Sequence, residues 1–237
     1  MMVYTLTGIA AIVHGQLIQY GTSADHPVRY LAFDSRTILS GKETLFFALK
    51  NGRNDGHNYI SDAHSKEVTS FVVSALPDSS RSAAPASYIV VENTLTALQA
   101  LAASHRRRFN YPVTAITGSN GKTMVKEWLS EILGASLRVV RSPRSYNSQI
   151  GNPLSVWLMD ERFDLALFEA GISKPGEMSR LEVILHPDHG IFTHLGNAHL
   201  ENFSSGEELV SEKVKLFVNC QLVVYCKDFE PVHKALS

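Results

Sequence analysis

Seven consecutive residues hold the densest chemistry in this chain: Thr117-Gly118-Ser119-Asn120-Gly121-Lys122-Thr123. The two glycines let backbone N–H groups turn toward a phosphate, and a helix opening just behind them adds positive potential. Lys122 can reach the terminal phosphates, and the Thr123 hydroxyl can hold the magnesium ion that accompanies them. The longer phosphate-loop pattern wants a glycine five positions before Gly121, where Ile116 stands. What remains is the shorter form T-G-x-x-G-K-T. A G-K-T triplet is common by chance, but one between a buried strand and an amphipathic helix is not. Gly118, Ser119, Asn120, Gly121, Lys122 and Thr123 are therefore expected to bind a nucleotide's phosphate tail.

Downstream residues could complete such a site. Glu169 closes the apolar run Leu165-Ala166-Leu167-Phe168. A carboxylate there is either solvated at a rim or holds a cation, and the neighbouring phosphate loop favours the cation. His194 and His199 follow the apolar stretch Gly190 to Thr193. Neutral imidazole can coordinate divalent cations, although a lone histidine is more often a surface or core residue. Lys213 and Lys215 share an expected helix, and the pattern gives no reason to prefer either.

The elements that must position these residues alternate. A strand at Pro112 to Thr117 precedes a helix with Val125, Trp128, Leu129, Ile132 and Leu133 on one face. Further strands are expected at Phe163 to Phe168, Gly190 to Thr193 and Gln221 to Tyr225, with a helix at Glu207 to Phe217. Alternation of this kind implies a parallel sheet covered on both sides, with ligands at the carboxyl ends of its strands.

The earlier segment is more mixed. Leu45 to Leu49 and Ser70 to Ser74 read as strands, and Asn51 to Gly56 as a turn-rich loop. Ser79 to Ser87 is the most linker-like stretch, followed by a strand at Tyr88 to Val91. Asn93 can cap a helix carrying Leu95, Leu98, Leu101 and Ala102, which ends in His105-Arg106-Arg107-Arg108. Basic residues in a last turn oppose the helix dipole and read as a solvated helix end. The fold class is α/β: a small mixed α/β N-terminal domain at 1–92, then at 93–237 the first, incomplete part of a P-loop-type central domain with a largely parallel sheet.

Composition limits the alternatives. The 237 residues are 44% hydrophobic and 19% charged, which is ordinary globular usage. A formal charge of −1 gives no overall field for nucleic acid. The two cysteines, Cys220 and Cys226, are too few for a disulfide framework and fit a reducing cytosol. No apolar run approaches ~18 residues, and Met1 to Gln16 reads as no signal peptide. Neither nucleic-acid binding nor membrane insertion is expected, and a cytoplasmic location is.

Taken together, the motifs resemble the Mur ligases, the ATP-dependent amide-forming enzymes of peptidoglycan precursor synthesis. Thr117 to Thr123 is similar to their ATP loop, and Tyr146-Asn147-Ser148-Gln149-Ile150-Gly151-Asn152-Pro153 to their N-x-x-x-G-x-P segment. Phe168-Glu169-Ala170-Gly171 and Ala198-His199-Leu200-Glu201 resemble the metal-binding segments. Glu212 to Phe217 resembles the segment bearing the family's carbamylated lysine, which would be Lys213. The N-terminal wording, Asp34-Ser35-Arg36, Leu45 to Lys50 and Asp55-Gly56-His57, resembles the branch that adds D-alanyl-D-alanine, in the version fused to an alanine racemase. His194 departs from the family, which usually has asparagine there.

The resemblance implies a three-domain body, so the chain is expected to be a fragment ending inside the second domain, inactive by itself. It implies ATP and Mg2+ as cofactors, with UDP-N-acetylmuramoyl tripeptide and D-alanyl-D-alanine as partners. The peptide carboxylate takes the γ-phosphate, and the amine of D-alanyl-D-alanine then displaces phosphate from the acyl phosphate. Lys122, Lys213 and His199 would be catalytic; Thr123, Glu169, His199 and Lys213 would hold or place metal. Asn147 and Ser148 would lie near substrate, and Ser35, Arg36, Lys50 and His57 near the uridine nucleotide. Three other readings compete: a folylpolyglutamate synthase-like ligase, a uridine-nucleotide binding module without turnover, and a nucleotide-driven switch.

Overall fold

The computed structural model describes residues 3–21, 26–38, 40–52, 54–77, 85–196 and 202–237. The chain divides into two compact units, Met1–Leu101 and Ala102–Ser237.

In the first unit, short apolar runs become buried strands. After α1 (Leu6–Ile12), capped by Thr5, come β1 (Gln16–Tyr20), β2 (Tyr30–Ala32), β3 (Thr44–Phe47) and a small hairpin of β4 (Lys50–Asn51) and β5 (Asn54–Asp55). α2 (Ile60–Ser65), β6 (Ser70–Val73) and β7 (Ala86–Val90) follow. The five longer strands pair in the order β1-β7-β6-β3-β2, parallel except for β1 against β7. β3 and β6 are buried along their whole length, as central strands covered on both faces must be. Phe71 stacks on Tyr88 at 5.4 Å and meets Phe46 edge-on at 6.2 Å, which ties three strands into one core. Asn51 to Gly56, expected as a turn-rich loop, takes part in the short β4–β5 hairpin pairing.

The division into units falls within α3 (Thr94–Arg106), which Asn93 caps by accepting the Thr96 N–H at 3.0 Å. Its C-terminal end corrects the expectation of a solvated basic run. His105 and Arg106 are buried; only Arg107 and Arg108 face solvent. Arg106 donates to the carbonyls of Phe109, Leu185 and His186 and pairs with Asp188 at 3.1 Å. The guanidinium's five fixed donors can satisfy several chain-end carbonyls at once, which makes its burial tolerable.

The second unit is the expected alternation. β8 (Val113–Thr117), α4 (Lys122–Gly134), β9 (Val139–Arg141), α5 (Gly151–Val156), β10 (Leu165–Glu169), α6 (Glu177–Leu185), β11 (His189–Phe192), α7 (Gly206–Val214), β12 (Leu222–Tyr225) and α8 (Glu230–Leu236) follow in turn. The strands form one all-parallel sheet in the order β12-β11-β8-β10-β9. Every residue of the neighbours β8 and β10 is buried. Because all five strands run the same way, their carboxyl ends gather Thr117, Arg141, Glu169 and Phe192 at one edge.

α4 differs from its sequence pattern. Trp128 and Ile132, expected on its buried face, are 58% and 69% exposed, and Met124 is 52% exposed. The helix's buried residue is Lys126. The side toward β10 carries a charge that meets Glu169, and the expected stripe is split: Val125, Leu129 and Leu133 are half-buried, whereas Trp128 and Ile132 face solvent.

Candidate functional site

The glycine loop leaves β8 at Thr117 and enters α4 at Lys122. Gly118 has φ +140°, and a Cβ there would lie 2.2 Å from Thr193 Oγ1, so both its conformation and its contact require glycine. Gly121, at φ +83°, caps α4 without a side-chain hydrogen bond, which leaves the helix's first amides for an anion. The end of β11 holds the loop in place. Ser119 N–H donates to the His194 carbonyl at 2.7 Å, and Thr193 Oγ1 donates to the Asn120 carbonyl at 2.6 Å. His194 thus serves the loop through its backbone, while its ring packs edge-on against Phe229 at 4.7 Å.

Two ammonium groups converge on the loop. Lys122 Nζ donates to the carbonyls of Gly118 at 2.8 Å and Ser119 at 3.3 Å. Lys213 Nζ donates to the same Gly118 carbonyl at 3.3 Å. Burial lowers the Lys122 pKa, opposed by the Glu169 carboxylate. Lys213, 2% exposed, is pushed down to about 8 by burial and by the charge of Lys122. Lys215, indistinguishable from Lys213 in the sequence, is half-exposed and pairs with Glu212 at 2.6 Å. Only Lys213 reaches the site. A small cavity of ≈ 80 Å³ lies between Gly118, Ser119, Lys122, Asn147, Gly171 and Lys213.

Glu169, at the end of β10, is fully buried. Its Oε2 accepts from Thr123 Oγ1 at 3.0 Å. Its Oε1 lies 2.9 Å from Lys126 Nζ, out of line for a hydrogen bond, and takes no hydrogen bond from any group. A buried carboxylate with one oxygen against the Lys126 ammonium and the other beside a threonine hydroxyl and a phosphate loop fits a hard divalent cation. Magnesium takes one or two protein oxygens and completes its shell with phosphate and water. Among the described residues no cluster of three histidine, cysteine or acidic side chains exists, so phosphate oxygens would supply much of that shell. His199 lies outside the described residues.

The N-x-x-x-G-x-P segment lies partly at the site. The Asn147 carbonyl accepts from Gly171 N–H at 2.8 Å, which ties it to the loop after β10. Ser148 is turned to its own helix, its Oγ accepting from Gly151 N–H at 3.1 Å at the start of α5.

The first unit has a cleft of ≈ 540 Å³ lined by Phe33, Asp34, Ser35, Arg36, Asn54, Tyr59 and Asp62. Asp34 opens a one-turn helix over Ser35–Thr37, accepting the Arg36 N–H at 3.0 Å, and pairs with the Arg36 guanidinium at 2.7 Å. That guanidinium holds the Asp34 carboxyl below its usual range. Of the four expected uridine contacts, Ser35 and Arg36 line this cleft. Lys50 and His57 converge instead on Asp55, at 3.2 and 2.6 Å. The Ser74 N–H donates to His57 Nε2 at 3.0 Å, so both ring nitrogens are engaged within the chain. Asn54 and Tyr59, joined by a 3.2 Å hydrogen bond, also line the cleft, and neither is among the residues expected from the sequence. Tyr59 lies two residues beyond the D-G-H motif, outside the wording that carries the resemblance.

Comparison with known proteins gives a consistent picture. Residues 116–234 match the profile of the Mur ligase middle domain, half of the chain. The UDP-N-acetylmuramoyl-tripeptide–D-alanyl-D-alanine ligase of Bacillus subtilis is 34% identical over 220 residues, covering 91% of this chain and 46% of that protein. The enzyme of the same name from Rickettsia prowazekii is 35% identical over 190 residues, covering 79% and 40%. Among solved structures, the MurF ligase of Thermotoga maritima in complex with ADP aligns with TM-score 0.75 and 27% identity over 87% of this chain and 48% of that one. A MurF structure from Acinetobacter baumannii, 24% identical, shares the fold at TM-score 0.84, covering 99% of this chain and 52% of that one. The chain spans about half the length of these relatives.

Proposed function

The chain belongs to the Mur ligase family, and from that premise we propose that it carries the nucleotide- and metal-holding part of a D-alanyl-D-alanine-adding ligase. In the reaction proposed for the whole protein, the carboxylate of UDP-N-acetylmuramoyl tripeptide takes the γ-phosphoryl group of ATP, releasing ADP. The amine of D-alanyl-D-alanine then attacks the acyl carbon and expels phosphate, leaving an amide. The observation that carries this reading is the buried Glu169 carboxylate, hydrogen-bonded to Thr123 at 3.0 Å directly behind the glycine loop.

The physical problem is the meeting of two anions, and this chain's residues answer it with charge. Lys122 lies against the loop that would cradle the phosphates. Thr123 and Glu169 would hold Mg2+, which supplies charge neutralisation at the transferring group. Lys213 is proposed as the carbamylated lysine. A pKa of about 8 leaves part of its amine neutral near physiological pH, able to add CO2 and release a proton. The resulting carbamate is an oxygen donor suited to a hard metal. His199 is proposed as a further metal ligand on the resemblance alone. The cleft at Ser35 and Arg36 is proposed to take the uridine nucleotide, whose phosphates would meet Arg36.

Titration of the chain by calorimetry tests this. UDP-N-acetylmuramoyl tripeptide and ADP should bind together without competing, and Mg2+ should tighten ADP. Uridine-nucleotide binding with no response to ADP would favour a binding module and overturn the ligase reading.

A further inference from the structure

α4 hides one side chain completely, and it is a lysine. Lys126 is 0% exposed, three residues and so nearly one turn after Thr123 on the same helix face. Its Nζ donates to the carbonyls of Ser142 at 2.8 Å and Arg144 at 2.5 Å. It also lies 2.9 Å from Glu169 Oε1 and 3.2 Å from Glu127 Oε1. Burying an ammonium is costly unless oxygens surround it, and here four do. Core packing does not explain the choice, because apolar residues replacing a buried ion pair are often neutral or stabilising.

The two oxygens of Glu169 are held differently. Oε2 accepts the Thr123 hydroxyl, whereas Oε1 feels the Lys126 cation but receives no hydrogen bond. Glu127, on the other side of Lys126, pairs with Arg141 at the end of β9. Charges therefore alternate from the rim inward: Arg141, Glu127, Lys126, Glu169. We propose that Lys126 is a positioning residue for the metal, acting through Glu169. It fixes the plane of the carboxylate so that Glu169 and Thr123 present oxygens together to the divalent cation arriving with the nucleotide. This rests on the nucleotide and metal reading above. Outer partners of metal ligands commonly control affinity in this way.

The test compares ADP affinity in EDTA and in Mg2+ for the 237-residue chain and for Lys126→Met. In EDTA the variant should bind ADP within about threefold of the unaltered chain. The tightening that Mg2+ gives should shrink by about tenfold or more. Lys126→Arg, which keeps a cation, should recover most of it. An unchanged Mg2+ effect in Lys126→Met, or equal losses with and without Mg2+, would overturn the proposal. If Lys126→Met does not fold, the unaltered chain decides by ammonium 15N NMR, with the resonance assigned through Lys126→Arg. The Lys126 signal should shift when Mg2+ is added to the ADP complex, and a stationary signal would overturn the proposal. Absence of any Mg2+ effect on the unaltered chain is a different failure, because it overturns the nucleotide and metal reading beneath it.

Discussion

The two units handle charge in opposite ways. At the cleft of the first unit, Asp34 and Arg36 form an ion pair at the rim, the Arg36 side chain 84% exposed. At the phosphate loop of the second, Lys126, Glu169 and Lys213 are each 0–2% exposed. Water screens the first pair, so each of its contacts is weak and replaceable. The second set is dry, so each charge needs a partner within reach and each loss is large. A wide, wet cleft suits an extended ligand gripped at many points. A narrow, dry loop suits a compact, highly charged one gripped at few.

The largest expected effect follows from removing a charge from the dry site. Lys122→Ala should weaken ADP and ATP binding by at least about 100-fold, or ~3 kcal/mol, since a charge-assisted contact to phosphate is lost. Binding of UDP-N-acetylmuramoyl tripeptide should stay within about twofold. Comparable losses of both ligands in calorimetry would break the contrast between the units.

The dry site was also the more legible one, because its core is contiguous. The loop from Thr117 to Thr123 carries its glycines, lysine and threonine in order, and Glu169 ends an unmistakable buried strand. What stayed hidden depends on which face of a helix meets the sheet. Lys213 and Lys215 differ only in the side of α7 they occupy. Nothing in the spacing of α4 marks Lys126, which lies among the apolar positions Val125, Trp128, Leu129, Ile132 and Leu133. Its pairing with Glu169 is a tertiary contact, and hydrophobic periodicity contains no term for that. Arg106 was misread for the same reason. Its partners at Leu185, His186 and Asp188 lie about 80 positions away in sequence. The first unit's cleft was half-legible, since Ser35 and Arg36 belong to one short motif whereas Asn54 and Tyr59 arrive from another.

Acid should separate the units next. His105, buried beside Trp157 and accepted by the Met159 carbonyl at 3.0 Å, has its pKa pushed down to about 4 by burial. Unfolded, it would titrate near 6.5, so between those values the unfolded chain binds more protons and stability falls as pH falls. The full loss is on the order of 3 kcal/mol, of which about 2 is felt by pH 5. Asp34 and Asp55 in the first unit are shifted downward instead, so their contribution is lost only below the usual carboxylate range. Thermal unfolding of the unaltered chain should show a falling midpoint from pH 7 to pH 5. In His105→Phe the slope should flatten. An unchanged slope would mean that a different group governs acid sensitivity.

The smallest effect belongs at the wet rim, and salt makes it diagnostic. Asp34 pins Nε and Nη2 of Arg36, so this guanidinium is already half-neutralised before any phosphate arrives. Arg36→Ala should therefore weaken UDP-N-acetylmuramoyl tripeptide only about three- to tenfold. Exposed charges lose most of their attraction when the screening length falls to a few ångströms. Raising NaCl from 50 mM to 1 M should thus erase most of the difference between Arg36→Ala and the unaltered chain. The same salt should erase a smaller share of the Lys122→Ala defect in ADP binding, because Lys122 is half-buried against the loop and is screened less than a rim charge. A calorimetric titration at both salt concentrations checks this. A salt-resistant Arg36 effect would mean that the uridine ligand closes over the rim and dries it, making the two sites alike in the one property that distinguishes them here.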